Sequence, residues 1–152
     1  MTKSLVTGGA GFIGSNLVDK LIEIGHKVVV IDNESAESNE RFYWNDKAQN
    51  YKYDIRDYEN TRSLYDGVDY VFHLAAAVGV FNIVKNPLAS LLTNIRGTEN
   101  VLEAAYAAKT PVFLTSSSEV YGKNVSNSLK ETDDRVLGSP VTLRWSYSEA
   151  KA

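Results

Sequence analysis

Short apolar runs alternate with stretches of helical period along the whole chain. Residues 4–7, Ser-Leu-Val-Thr, are apolar and β-branched and stop at Gly8-Gly9, which predicts a strand. Over residues 12–25 the apolar positions Ile13, Leu17, Val18, Leu21 and Ile24 recur at helical spacing, and Gly25 is placed to cap the C-terminus. Residues 27–31 carry no polar side chain after Lys27 and predict a second strand. A third strand is expected over 51–55, a short helix over 59–65 and a fourth strand over 70–74. Asn86-Pro87 opens a long helix running to about Ala108, with Asn suited to the cap and Pro to the first turn. Its apolar side reads as Leu88, Leu91, Leu92, Ile95, Leu102 and Ala105. Residues 112–115 predict a fifth strand, and 122–146 read mostly as loop. Strands that are apolar throughout belong in a parallel sheet covered on both faces. Strand-helix alternation means βαβ units with right-handed crossovers. The expected fold class is therefore α/β, a doubly wound parallel sheet. Its ligand should sit at the carboxyl ends of the strands, where the winding reverses.

A length of 152 residues is one domain's worth, read as a single unit over 1–152, and 43% hydrophobic with 23% charged residues argues against disorder. A net charge of -3 lacks the basic footprint of a nucleic-acid or anionic-membrane binder, so no nucleic-acid polymer and no membrane is expected as partner. The absence of cysteine excludes a disulfide scaffold, a thiol nucleophile and a thiolate metal site, and no metal is expected. The longest apolar run, residues 74–81, is far below the roughly 20 residues of a membrane span. The first residues do not read as a signal peptide. By elimination the expected location is cytoplasmic.

The loop after the first strand is Gly8-Gly9-Ala10-Gly11-Phe12-Ile13-Gly14. Gly8 permits the tight turn, Gly11 lets backbone approach a diphosphate, and Gly14 lets the helix pack closely on the strand. The helix N-terminus then offers N–H groups and partial positive charge, so a diphosphate is held without Lys or Arg. Asp32 ends the next strand, 24 residues after Gly8. A carboxylate there can accept from ribose hydroxyls and repels a 2′-phosphate, which favours NAD over NADP; Asn33 and Arg41 weaken that preference slightly.

Tyr147 and Lys151 lie four apart, on one face of a helix. An ammonium beside a phenol favours the phenolate, which makes Tyr147 a candidate general base for a substrate hydroxyl whose carbon gives up hydride. Residues 115–122, Thr-Ser-Ser-Ser-Glu-Val-Tyr-Gly, follow the fifth strand, and a hydroxyl there can bond the same substrate oxygen or satisfy backbone groups at a strand end.

With these elements the chain resembles the extended short-chain dehydrogenase/reductase superfamily, and within it the NAD-dependent epimerase/dehydratase family acting on nucleotide sugars. The matching segments are 8–14, Asp54-Ile55-Arg56-Asp57, His73-Leu74-Ala75-Ala76, Asn94-Ile95-Arg96-Gly97-Thr98, 116–122 and 147–151. The resemblance implies an NAD-binding Rossmann fold. In it Gly8, Gly11, Phe12, Ile13, Gly14, Asp32 and Asn33 face the cofactor, Asp54 and Ile55 bracket the adenine, and Leu74, Ala75 and Ala76 line the dinucleotide. Asn94 would brace the sheet end near the nicotinamide. Ser117 would be the catalytic hydroxyl, Tyr147 the base, and Lys151 the residue that binds the nicotinamide ribose and tunes Tyr147. Dehydratases of this family carry Asp-Glu after the catalytic hydroxyl, whereas Ser118-Glu119 stands here and resembles UDP-glucuronate decarboxylases. Residues 73–80 and 145–148 resemble sugar-nucleotide epimerases instead, so epimerisation through transient C4 oxidation is the leading expectation. Decarboxylation, another sugar-nucleotide dehydratase or reductase activity, and an NAD-binding module without catalysis stay open. Glu119 is either an acid of the decarboxylase type or a hydrogen-bond brace. Family members are longer and add a substrate domain that holds the nucleotide sugar. The 152-residue chain is therefore expected to be an N-terminal portion, incomplete at its C-terminal end, that binds NAD weakly and does not turn over alone. Homodimers of the superfamily pack on the long helix after the fourth strand and on the helix that begins at Tyr147.

Overall fold

The computed structural model describes residues 1–36, 41–126 and 128–152. Its core is one parallel sheet of five strands, β1 (Lys3–Thr7), β2 (Lys27–Ile31), β3 (Gln49–Tyr51), β4 (Tyr70–His73) and β5 (Val112–Leu114), in the order β3-β2-β1-β4-β5. The winding reverses between β1 and β4, which pair in register from Ser4 opposite Tyr70 to Thr7 opposite His73. This is the doubly wound α/β sheet expected from the sequence.

Alternation along the central strands explains why they are largely apolar. Leu5, Val29, Ile31 and Val71 face one way and join Ile55, Tyr65, Val101, Ala104 and Ala105 in one core cluster. Val6, Val28 and Val30 face the other way and meet Val18 and Leu21 of α1 (Phe12–Glu23). The central strands are covered on both faces, so the polar side chains they do carry, Ser4, Thr7 and His73, are buried and hydrogen-bonded. α1 ends as its sequence dictates. Gly25 takes φ +91, its N–H donates to the Ile22 carbonyl, and the His26 N–H reaches back to Leu21, a Schellman closure.

Three expectations need correction. The third strand is Gln49–Tyr51, not 51–55, because Ile55 reaches the core from a turn rather than from the sheet. The short helix is split into α2 (Tyr58–Thr61) and a 3₁₀ turn, Arg62–Tyr65. The long helix is preceded by α3 (Val80–Lys85) and is itself interrupted: α4 (Pro87–Leu91), a π-helical turn Leu92–Arg96, then α5 (Gly97–Ala107). Of the apolar side expected for it, Ala105 is buried but most of the rest is not. Ser90, Asn94, Gly97, Asn100, Val101, Ala104 and Ala105 are buried, whereas Leu88, Leu92, Ile95 and Leu102 are exposed. The inner face works by close approach and polar satisfaction. A Cβ at Gly97 would stand 2.5 Å from Ile55 Cδ1, and Asn100 Nδ2 donates to the carbonyls of Ile55 and Arg56 at 3.1 and 2.9 Å. The stretch 122–146, of which Asn127 lies outside the described residues, follows a 3₁₀ turn, Ser118–Tyr121. It is pinned by a bridge between Gly122 and Val136, and it leads into α6 (Trp145–Lys151).

Candidate active site at the sheet reversal

A cavity of about 370 Å³ opens at the carboxyl ends of the strands. Its floor is the turn from β1 into α1. The Gly8 N–H donates to Ile31 at 2.8 Å, and Gly8 has φ +72 with no room for a side chain, since a Cβ would lie 2.7 Å from Ala75 N. Gly11 precedes α1 in extended conformation, and no side chain caps the first turn. The helix therefore presents unpaired N–H groups and its positive end where Gly8, Gly11, Phe12, Ile13 and Gly14 line the cavity. Phe12 and Ile13 are 80% and 69% exposed, so these two apolar side chains stand at the cavity rather than in the core. Glycine cradle, uncapped helix start and apolar walls together fit a dinucleotide.

Asp32 stands at the end of β2 on the cavity wall, 8% exposed. Its carboxylate is already oriented, accepting the Ala10 N–H at 3.0 Å and the Glu34 N–H at 2.8 Å. Asn33 also lines the cavity and donates to Asp54 at 2.9 Å. Asp54 itself does not line it; its two oxygens are taken by Asn33 and by the Arg56 guanidinium and N–H. Those Arg56 bonds, despite partial burial, hold the Asp54 carboxyl below the usual range. Ile55, its neighbour, does reach the wall. Arg41 is exposed and is not among the lining residues. Sequence reasoning missed Phe42 and Tyr53, which also line this end; the ring of Tyr53 lies 5.8 Å from that of Tyr51. Tyr53, next to Asp54 in sequence, was the available signal, whereas Phe42 lies far from it.

At the opposite end Leu74, Ala75 and Ala76 line the cavity beside Thr115, Ser116, Tyr147 and Lys151. Tyr147 and Lys151 thus share one face of α6, and burial lowers the Lys151 ammonium from its usual value. Ser117 does not line the cavity. Its Oγ accepts the Glu119 N–H at 3.2 Å and caps the 3₁₀ turn, which leaves the hydroxyl proton available to another acceptor. The Glu119 carbonyl accepts from the fully buried Ser148 of α6 at 2.5 Å, tying the serine loop to the tyrosine helix. The Glu119 carboxylate meets Arg144 at 3.3 Å through both oxygens. Together with Tyr147, Gly79 and Ile83 this pair lines a second cavity of about 130 Å³. Tyr147 is common to both cavities.

Two buried polar groups hold this end rigid. Asn94, in the π-helical turn, does not reach the cavity. Its side chain closes on Ala77, accepting from N–H at 2.7 Å and donating to C=O at 3.0 Å, so it braces the segment after β4 while Thr93 beside it lines the wall. His73 is 1% exposed, with Nδ1 2.7 Å from Thr7 Oγ1 and Nε2 3.0 Å from Thr98 Oγ1. Burial, with the Lys151 charge adding to it, pushes the imidazole down to about 4. The unfolded chain takes up that proton below about pH 6.5, so native stability is full above that pH and falls as pH drops toward 4. Between pH 7 and pH 5 this one group is expected to remove about 2 kcal/mol from the unfolding free energy. Urea titrations at both pH values measure it, and a His73→Asn variant with an undiminished pH slope would assign the loss elsewhere.

The family model described as NAD dependent epimerase/dehydratase family matches residues 4–152. A UDP-N-acetyl-alpha-D-glucosaminuronate decarboxylase of Bacillus cytotoxicus is 38% identical over 152 residues, covering 98% of this chain and 46% of that protein. UDP-glucuronic acid decarboxylase 1 of Arabidopsis thaliana is 36% identical, over 97% of this chain and 33% of its own length. Among solved structures, the UDP-glucose 4-epimerase of Thermotoga maritima with UDP-glucose superposes with a TM-score of 0.85 at 37% identity, over 99% of this chain and 48% of that one. The Thermus thermophilus UDP-glucose 4-epimerase complex with NAD gives 0.81 at 29% identity, over 99% and 47%. The chain thus spans about half the length, or less, of these relatives. No helix among the described residues is long and apolar enough to cross a membrane.

Proposed function

Because the chain belongs to the NAD dependent epimerase/dehydratase family, we propose that it supplies the cofactor and proton-transfer half of an enzyme that transiently oxidises the C4 hydroxyl of a nucleotide sugar, with epimerisation as the leading outcome. The observation that carries this reading is one cavity with the glycine turn and Asp32 at one end and Tyr147 with Lys151 at the other. NAD, when bound, accepts a hydride and returns it. Gly8, Gly11, Phe12, Ile13 and Gly14 would hold its diphosphate region, Asp32 and Asn33 a ribose, Ile55 the adenine end, and Leu74, Ala75 and Ala76 the far end. Lys151 would bond the second ribose, and its charge would favour proton departure from Tyr147. Tyr147 would take the C4 hydroxyl proton and give it back, with Ser117 donating to the same oxygen. Asp54 and Asn94 act one layer back, Asp54 by fixing Asn33 and Asn94 by fixing the strand-end backbone.

A second reading, decarboxylation, is favoured by the Glu119–Arg144 pair beside Tyr147, because Glu119 brings a carboxylate into a cavity that Tyr147 also lines. The exposed Leu88, Leu92, Ile95 and Leu102 form the face through which a second copy would pack, and sedimentation of the whole protein reads it. The deciding assay follows the whole protein with NAD and either UDP-glucose or UDP-glucuronate by proton NMR. Inversion at C4 supports epimerisation and loss of carbon dioxide supports decarboxylation. Steady NADH accumulation would mean net oxidation of the sugar, a dehydrogenase, and overturn both, since each returns the hydride every turnover.

A further inference from the structure

The second cavity carries more information than the choice between two reactions. At roughly 30 Å³ per water, its 130 Å³ has room for about four waters or one small substituent. Among the described residues its charged lining is Glu119 and Arg144, and Tyr147 adds a phenol. Arg144 precedes Tyr147 by three residues with helical backbone angles, φ -51 and ψ -37, so both start from one face of the same turn. Tyr147 and Arg144 thus line one cavity, which a substituent on a ring carbon next to the hydroxyl at Tyr147 would enter.

The ion pair is built to be exchanged. Both contacts are 3.3 Å, longer than the 2.7–2.9 Å usual for a charge-assisted bond, and both side chains are partly exposed. Partly exposed pairs of this kind contribute little, too little to hold the guanidinium against a better-placed carboxylate. The guanidinium itself is steadied by the Trp145 ring, 5.3 Å from its carbon. The Glu119 backbone is fixed on both sides, by Ser117 Oγ at its N–H and by Ser148 Oγ at its carbonyl, so only its side chain has to swing away.

We propose that Arg144 is a specificity-determining residue that reads the charge of the substituent next to the oxidised carbon, exchanging Glu119 for a substrate carboxylate, so that the site takes a uronate-type nucleotide sugar. The inference rests on Tyr147 being the proton-transfer group, and it holds whichever fate follows C4 oxidation.

The test measures calorimetric affinities of the NAD-loaded whole protein for UDP-glucuronate and UDP-glucose. Arg144→Met should weaken UDP-glucuronate at least about tenfold and UDP-glucose by less than about twofold, with Arg144→Lys between, since an ammonium keeps the charge but not the two-point fork. Glu119→Gln should tighten UDP-glucuronate relative to UDP-glucose by removing the competing carboxylate. Equal losses on both ligands, or no change on either, overturn the proposal. If Arg144→Met also loses NAD binding, Glu119→Gln alone decides, and an unchanged ligand preference there overturns it too. The reading of Tyr147 fails separately: a Tyr147→Phe protein that still turns over rejects that reading even where the Arg144 variants shift preference. Lost turnover with unshifted preference rejects only the role given to Arg144.

Discussion

A Gly14→Ala chain is expected to lose its cofactor cavity and about 4 kcal/mol or more of stability, at the extreme end of single substitutions. The added Cβ would stand 2.0 Å from the Gly8 carbonyl oxygen, 2.7 Å from Gly9 Cα and 2.8 Å from the Gly8 carbonyl carbon. All three are backbone atoms of the turn, so no side chain can rotate out of the way. Relief requires α1 to move off β1. That movement opens the packing of Val18 and Leu21 on Val6 and Val30 and displaces the helix N-terminus from the cavity. For a domain of this size the melting temperature should fall by roughly 10 °C or more. Gly25→Ala is the matched control. Unlike the helical Gly14 it has a positive φ, +91, yet nothing lies within 4 Å of its Cβ, so only backbone strain of about 1–2 kcal/mol is at stake. Calorimetric melting of the two variants separates them. A Gly14→Ala chain that melts within a few degrees of the parent would mean that α1 does not need its close approach to the turn.

The same contact shows why this part of the molecule was legible in sequence. Gly8, Gly14, the apolar strand before them and the helical period after them are local signals, and each is required by a steric fact that the sequence carries alone. β1, β2, β4, β5 and α1 followed from such signals almost to the residue. Legibility failed where burial was decided by a distant partner. Ile55 looked like part of a strand because it is β-branched and flanked by turn residues, but it is buried by Gly97, which leaves a Cβ-sized gap for it. The long helix looked amphipathic through its leucines, yet the sheet's loops needed Asn94 and Asn100 to satisfy their backbone, and those needs turned the leucines outward. In the site, Tyr147, Lys151 and Asp32 reach the cavity wall as their motifs implied, whereas Asp54 and Ser117 are engaged by Arg56 and by the Glu119 N–H. Arg144, three residues before the tyrosine, carried no signal of its own. It became visible only when Glu119, 25 residues earlier, was brought against it.

Tyr147→Phe in the whole protein is expected to lower turnover about 1,000-fold or more while NAD affinity stays within about twofold, the span usual for removing a group that moves a proton in the transition state. The substitution deletes one oxygen and keeps the ring, so the wall between the two cavities remains and the Ser148 anchor of α6 on the Glu119 carbonyl is untouched. The loss should fall on kcat rather than on KM, because the phenol contributes where the hydroxyl proton is in transit and little to ground-state binding. Lys151→Met should behave differently. It removes the ammonium that favours proton departure and also the group placed to hold a ribose, so kcat and NAD affinity should fall together. That contrast assigns separate tasks to two residues four apart on one short helix, tasks that position alone cannot distinguish. Pre-steady-state absorbance at the NADH band reads the chemical step directly, and equilibrium titration reads the cofactor. Retained turnover in Tyr147→Phe would move the base to another group on the substrate side. Glu119 is then the first to test, since its carboxylate already shares the second cavity with Tyr147.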